Sequence, residues 1–144
     1  MDFIIINKNN INYVHDFLKT VSSKHFRYYN KRKPEDSIKT QLYTIVGIIN
    51  NEIVSYGHID SELNNDSELN NNEKKYWLGI CVSDNKNNNG YGTKTIYELL
   101  KWCEHNIKMV HLSVDYDNII AINFYKKYGF ILDDSQDDKS IIFT

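Results

Sequence analysis

Cys81-Val82-Ser83-Asp84-Asn85-Lys86-Asn87-Asn88-Asn89-Gly90-Tyr91-Gly92-Thr93-Lys94 carries an apolar strand into a polar, glycine-punctuated turn that opens directly into a helix. Such a junction gathers the backbone N–H groups of residues 87–93 at a helix N-terminus. The dipole there favours a nearby anion by roughly 0.3–1 kcal/mol before any side chain contributes. Two glycines keep side chains out of the way, which suits a pyrophosphate. Asn and Gly are also ordinary turn residues, so the stretch by itself leaves a plain connecting turn as the alternative.

Outward from the turn, strands and helices alternate. Residues 76–82 predict a buried strand before it. After Gly92 the apolar positions Ile96, Leu99, Leu100 and Cys103 follow one helical face to about Asn106, and residues 109–114 predict the next strand. Asp117 or Asn118 is placed to cap a helix carrying Ala121, Ile122, Phe124, Tyr125 and Tyr128, closed by Gly129. Residues 130–132 and 140–143 supply two last strands. Upstream, residues 3–6 predict a strand, and Ile11, Val14, Phe17, Leu18 and Val21 recur at helical spacing. Pro34, the only proline, starts a second helix that is expected to run to about Leu42. Residues 43–49 and 53–60 read as a hairpin around Asn50-Asn51, and the Asn-, Asp- and Glu-rich residues 63–74 as a loop.

A chain of 144 residues fits one domain, 1–144, with a core and one ligand cleft. The net charge of −2 with mixed signs predicts neither a nucleic-acid partner nor a membrane surface. The first residues lack the basic start and long apolar run of a leader, so a cytoplasmic protein is expected. The two cysteines, Cys81 and Cys103, have no metal-ligand spacing and predict reduced core residues, with no metal.

The turn is not a dinucleotide fingerprint, because Thr95 stands where a third glycine belongs, and it lacks the spacing of a P-loop. With Asn118-x-x-Ala121-x-x-Phe124-Tyr125-x-x-x-Gly129-Phe130 downstream, however, the chain resembles the GNAT family of N-acetyltransferases. That family's signature is Gln/Arg-x-x-Gly-x-Gly/Ala followed by Asn-x-x-Ala-x-x-Phe/Leu-Tyr-x-x-x-Gly-Phe. The resemblance covers essentially the whole chain, and the second block is its more specific part. It implies an α/β fold, a mixed sheet splayed beside its fourth strand and flanked by about four helices. It also implies acetyl-CoA in the gap, with its pyrophosphate on Asn87, Asn88, Asn89, Gly90, Tyr91, Gly92 and Thr93, and with Asn118 and Phe124 alongside. Asn87 stands where the family has Arg or Gln, which weakens or reshapes one contact.

The chemistry of amine acetylation defines further roles. A lysine-like amine, with a pKa of about 10.4, is neutral in about one molecule in a thousand at pH 7, so a base must take its proton. His58, Asp60 and Glu62 fall on one face of a strand by its period of two, facing either a cleft or solvent. The resemblance implies an oxyanion-binding backbone N–H near Cys81 and Val82, and makes Tyr125 the proton donor to the departing thiolate. Without that block, Phe124 and Tyr125 would read as core aromatics and Asn118 as a helix cap. Cys81 as an acyl-carrying nucleophile is the less favoured route, since no neighbouring His or Lys activates it, and direct transfer in a ternary complex is expected.

For the acceptor, Phe26, Arg27, Tyr28 and Arg32 combine stacking surfaces with positive charge. Such a mix suits a nucleotide-linked ligand, and Phe26-Arg27-Tyr28-Tyr29, Tyr56-Gly57-His58-Ile59-Asp60 and Trp77-Leu78-Gly79-Ile80 together look like family members associated with amino-sugar modification. The expected acceptor is therefore the primary amine of a nucleotide-activated amino sugar, a small molecule held also by Glu62 and Trp77. Alternatives are a protein or peptide amine acetyltransferase and a CoA-binding module without catalysis. A monomer or homodimer is expected.

Overall fold

The computed structural model describes residues 1–21, 33–62, 75–86, 89–113, 119–132 and 140–143. Its central hairpin is set by two asparagines. Asn50 and Asn51 have φ of 51° and 63°, the left-handed pair that a two-residue loop requires, and Ile49 pairs with Glu52 directly across them.

That hairpin joins β2 (Gln41–Ile49) to β3 (Glu52–Glu62). The other strands are β1 (Asp2–Ile5), β4 (Lys75–Val82), β5 (Val110–Ser113), β6 (Ile131–Leu132) and β7 (Ser140–Phe143). Among the described residues they form one seven-stranded sheet in the order β1-β2-β3-β4-β5-β7-β6. Every neighbouring pair is antiparallel except β4 and β5. That parallel pair is joined through α3 (Tyr91–Asn106), the crossover a parallel connection requires. Trp77 and His111 form its only register pair among the described residues, a much shorter ladder than β4 makes with β3. The expected mixed sheet splayed beside its fourth strand is therefore present.

The strands bury both faces. On one, Ile45, Ile59 and Leu78 pack with Ile96, Leu99 and Cys103 of α3, and with Tyr125 of α4 (Ile119–Lys127) and Phe130 just after it. Each fully buried Ile or Leu contributes roughly 1.5–3 kcal/mol. Gly57 lets α3 settle closely, since a Cβ there would lie 2.8 Å from Leu99 Cδ1. On the other face, Val46 and Tyr56 pack with Val14 and Phe17 of α1 (Asn12–Leu18), Phe17 and Tyr56 stacking at 5.9 Å. The short α2 (Pro34–Ser37) is tied to α1 by a His15–Glu35 contact. That contact lowers the Glu35 carboxyl below its usual range.

Two helices are shorter than the sequence predicts. Helix α1 stops before Val21 because Thr20 turns its hydroxyl onto the Phe17 carbonyl at 2.6 Å and closes the last turn. Helix α2 ends at Ser37, not near Leu42. Gln41 is already paired with Asp60, so strand pairing overrides the helical start at Pro34. Gly129, at φ 91°, closes α4 as expected, with the Phe130 N–H reaching back to the Tyr125 carbonyl at 3.3 Å. The caps Asp117 and Asn118 and the loop 63–74 lie outside the described residues. Among the described residues, no helix is long and apolar enough to cross a membrane.

Candidate active site

The turn after β4 is anchored before it reaches α3. The Ser83 N–H donates to the Val54 carbonyl at 2.9 Å and the Asp84 N–H to the Thr20 carbonyl at 3.2 Å. Lys86 pairs with Glu52 at 3.3 Å, and Asn89 Nδ2 donates to the Lys86 carbonyl at 3.2 Å. The chain then turns at Gly90, which caps α3 with φ 77°. Glycine has no side chain to satisfy the first-turn N–H groups, and among the described residues a Cβ there would meet nothing within 4 Å. The start of the helix is thus open to an external anion. Thr95 fixes this end from below, its hydroxyl bonding the Tyr91 carbonyl and Ser55 Oγ, each at 2.7 Å.

Gly92 brings the cradle against the splay. A Cβ on it would sit 3.5 Å from Val82 Cγ2 and 4.0 Å from Phe124 Cζ, so the start of α3, the end of β4 and α4 converge there. A little deeper, Tyr125 is buried and packs edge-on to Phe130 at 5.6 Å. Burial, reinforced by the nearby Cys81 thiol, pushes its hydroxyl well above the usual range, so it stays protonated at neutral pH. Half-buried Cys81 points to the α1 face against the Val46–Tyr56 cluster. Burial first, then the charge of Asp84, pushes its thiol up to about 12.

The α1 face holds the other group of predicted residues. His58 and Asp60 are buried side by side on β3, and Asp60 pairs with Trp77, which pairs in turn with His111. The Trp77 and His111 rings lie 5.5 Å apart. Opposite His58 stands Thr44 on β2 and Gly79 on β4. Thr44 Oγ1 donates to Gln41 Oε1 at 2.5 Å, and Gln41 Nε2 donates to the Tyr56 hydroxyl at 3.1 Å. A polar row thus crosses the sheet next to the point where β4 and β5 part.

Of the residues singled out from sequence, the fold brings Val82, Gly90, Tyr91, Gly92, Thr93, Phe124 and Tyr125 to one end of the splay. It places His58, Asp60 and Trp77 on the α1 face. Glu62 continues β3 opposite Lys75, but its side chain lies outside the described residues. So do Phe26, Arg27, Tyr28, Arg32, Asn87, Asn88 and Asn118. Sequence reasoning missed Gln41 and His111. A bulge between Gln41 and Tyr43 turns Gln41 to the face opposite Tyr43, and such an irregularity leaves no mark in a period-two pattern. His111 was legible, since it alternates with Val110 and Leu112, both buried in the α3 side of the core.

The family profile described as "Acetyltransferase (GNAT) family" matches residues 11–130. The chain belongs to the GNAT family of N-acetyltransferases. A curated relative, the L-amino acid N-acetyltransferase AaaT of Escherichia coli K12, is 36% identical over 55 residues. That match covers 37% of this chain and 34% of the relative, so the chain spans about a third of its length. The GNAT domain of S. lividans PAT shares the fold at a TM-score of 0.74 and 14% identity, over 97% of this chain and 86% of that one. So does Arabidopsis thaliana Naa50 in complex with a bisubstrate analogue, at 0.68 and 17%, over 98% and 95%.

Proposed function

We propose that this GNAT chain transfers the acetyl group of acetyl-CoA directly to a primary amine, with the donor in the β4/β5 gap and the acceptor arriving from the α1 face. The supporting observation is that, among the described residues, β4 and β5 pair only at Trp77–His111 while the glycine-capped start of α3 meets the end of β4. Bound acetyl-CoA supplies an acyl group already activated as a thioester. Residues Asn89, Gly90, Tyr91, Gly92 and Thr93, with Asn87 and Asn88 from the sequence motif, would hold its pyrophosphate through backbone N–H groups, and Val82 and Phe124, with Asn118 by the family resemblance, would contact the rest of it. A side chain at Gly92 would fill part of this cradle.

The acceptor enters as an ammonium. Asp60 and the Trp77 face attract it, and His58 takes the proton that frees the nitrogen lone pair. The Val82 backbone N–H, which alternates with the Ser83 N–H given to Val54 of β3 and so faces the other edge of β4, meets the negative charge developing on the carbonyl oxygen. One such donor is worth about 2.7–4 kcal/mol. Tyr125 stays neutral and donates its O–H to the departing sulfur. Cys81 remains a thiol and carries no acyl group.

As acceptor we place a free amino acid or similar small amine first, supported by the local likeness to an L-amino acid N-acetyltransferase. The nucleotide-linked amino sugar rests on Phe26, Arg27, Tyr28 and Arg32 and is the competing outcome. Thiol release from acetyl-CoA with a panel of amino acids, peptides, polyamines and amino-sugar nucleotides tests this. Turnover restricted to the sugar nucleotides would overturn the amino acid assignment. Cofactor binding by calorimetry with no turnover of any amine would leave a binding module instead.

A further inference from the structure

We infer that Gly79 is a positioning residue whose missing side chain lets His58 reach across β4 to the acetyl-transfer gap. The inference rests on the reading of His58 as proton acceptor. Gly79 stands mid-strand, where glycine costs roughly 0.5–1 kcal/mol relative to alanine. Its backbone does not demand glycine, because Gly90 and Gly129 are the glycines with positive φ among the described residues. Something else must keep the position bare.

The neighbour across the strand supplies the reason. His58 and Gly79 are register partners, and the three heavy atoms a Cβ at Gly79 would meet first all belong to the His58 ring. Nε2 would be met first, then Cδ2 at 3.0 Å and Cε1 at 3.1 Å. The imidazole therefore leans off β3, away from Thr44 on β2, and lays its Nε2 edge over β4. Beyond Trp77 no described residue of β5 pairs with the far edge of β4, and that edge is where the proposed function puts acetyl transfer. The ring is held there, being 3% exposed and set 5.5 Å from the Tyr56 ring. In the reaction one proton of the acceptor ammonium goes to His58, the freed nitrogen lone pair forms the bond to the acyl carbon, and the carbon–sulfur bond breaks with its electron pair leaving on sulfur. Sulfur takes the Tyr125 proton, and the second proton lost from nitrogen restores that hydroxyl. A methyl group at position 79 would push the ring out of this reach.

The test is a double-mutant cycle of Gly79→Ala and His58→Gln, reading kcat, acetyl-CoA KM and the pH profile of kcat/KM. Gly79→Ala is expected to lower kcat about 10–100-fold with KM for acetyl-CoA within about threefold, and to move the acidic limb as His58→Gln does. The double variant is expected to be no slower than His58→Gln alone. If His58→Gln is slow while Gly79→Ala is not, or if the two losses add, the positioning role is overturned and the reading of His58 stands. If His58→Gln keeps the wild-type rate and profile, that reading fails and the inference with it. Should Gly79→Ala fold poorly, Gly79→Ala/His58→Ala is expected to melt close to His58→Ala, because the obstructed ring is gone. A double variant as unstable as Gly79→Ala would overturn the inference independently of activity.

Discussion

The two faces of the sheet hold their halves of the site by different means. On the α3 and α4 face the key positions are backbone ones. Gly90 turns the chain, Gly92 lies against Val82 and Phe124, and a layer of Ile45, Ile59, Leu78, Ile96 and Leu99 fixes the frame beneath them. On the α1 face the same strands present side chains that hold one another. Thr44 and Gln41 reach Tyr56, His58 lies over Gly79, and Asp60, Trp77 and His111 form one row. A backbone cradle survives most changes of side chain provided its glycines stay, whereas a side-chain array fails one residue at a time.

The largest expected effect tests whether the two faces share one foundation. Leu99 is fully buried against Gly57 in the α3 layer. Leu99→Ala is expected to lower unfolding free energy by about 2–5 kcal/mol, read by denaturant titration. Molecules that remain folded are expected to keep their kcat. If kcat falls in step with stability, the α1 face depends on the α3 packing and the division between the faces breaks down.

Next is Tyr125, in the core of the α3 and α4 face. Tyr125→Phe keeps the ring that packs on Phe130 and removes only the hydroxyl. It is expected to lower kcat by about 100-fold with little change in acetyl-CoA affinity. Unchanged turnover would return Tyr125 to the status of a core aromatic. A smaller effect is expected at Gly90, where φ of 77° strains any side chain. Gly90→Val costs roughly 1–2 kcal/mol of backbone strain and is expected to raise acetyl-CoA KM about tenfold while leaving the acceptor KM alone. A change confined to the acceptor would place the anion cradle elsewhere.

The same contrast explains what was legible in the chain. Glycine spacing, helix periodicity and the Asn50-Asn51 turn are local signals, so α3, the central hairpin and the closing Gly129 could be read directly, whereas the splayed sheet comes only with the family resemblance. The α1 face depends on register and on one bulge. Gln41 reads as helical from Pro34 onward and reaches Tyr56 only because pairing with Asp60 wins and the strand kinks at residue 42. Gly79 reads as an ordinary strand glycine until His58 is seen above it. His58 and Asp60 were visible as a period-two pair, but nothing local distinguishes a cleft face from a solvent face.

Cys81 offers the smallest effect and a sharp distinction between transfer routes. It lies at the border of the two faces, near Tyr125 and against the Val46–Tyr56 cluster. With its thiol pushed up to about 12, only about one molecule in 10⁵ is a thiolate at pH 7, so it is a poor acyl acceptor. Cys81→Ala is expected to keep kcat within about twofold, and mass spectrometry after acetyl-CoA treatment is expected to find no acetyl group on Cys81. An acetylated Cys81, or a turnover lost with the thiol, would replace direct transfer by a two-step route. The pH dependence has a definite sign. Burial raises the thiol of the folded chain above its ordinary value of about 9, so the folded form retains a proton that the unfolded form loses as pH rises. Stability from this group is full below about pH 9 and is lost as pH climbs toward 12. Buried Cys103, its thiol likewise raised to about 12, adds to the same decline. Cys81→Ala is therefore expected to flatten the alkaline fall of the melting temperature, and a curve as steep as the wild type would show that the thiol is not held in its neutral form.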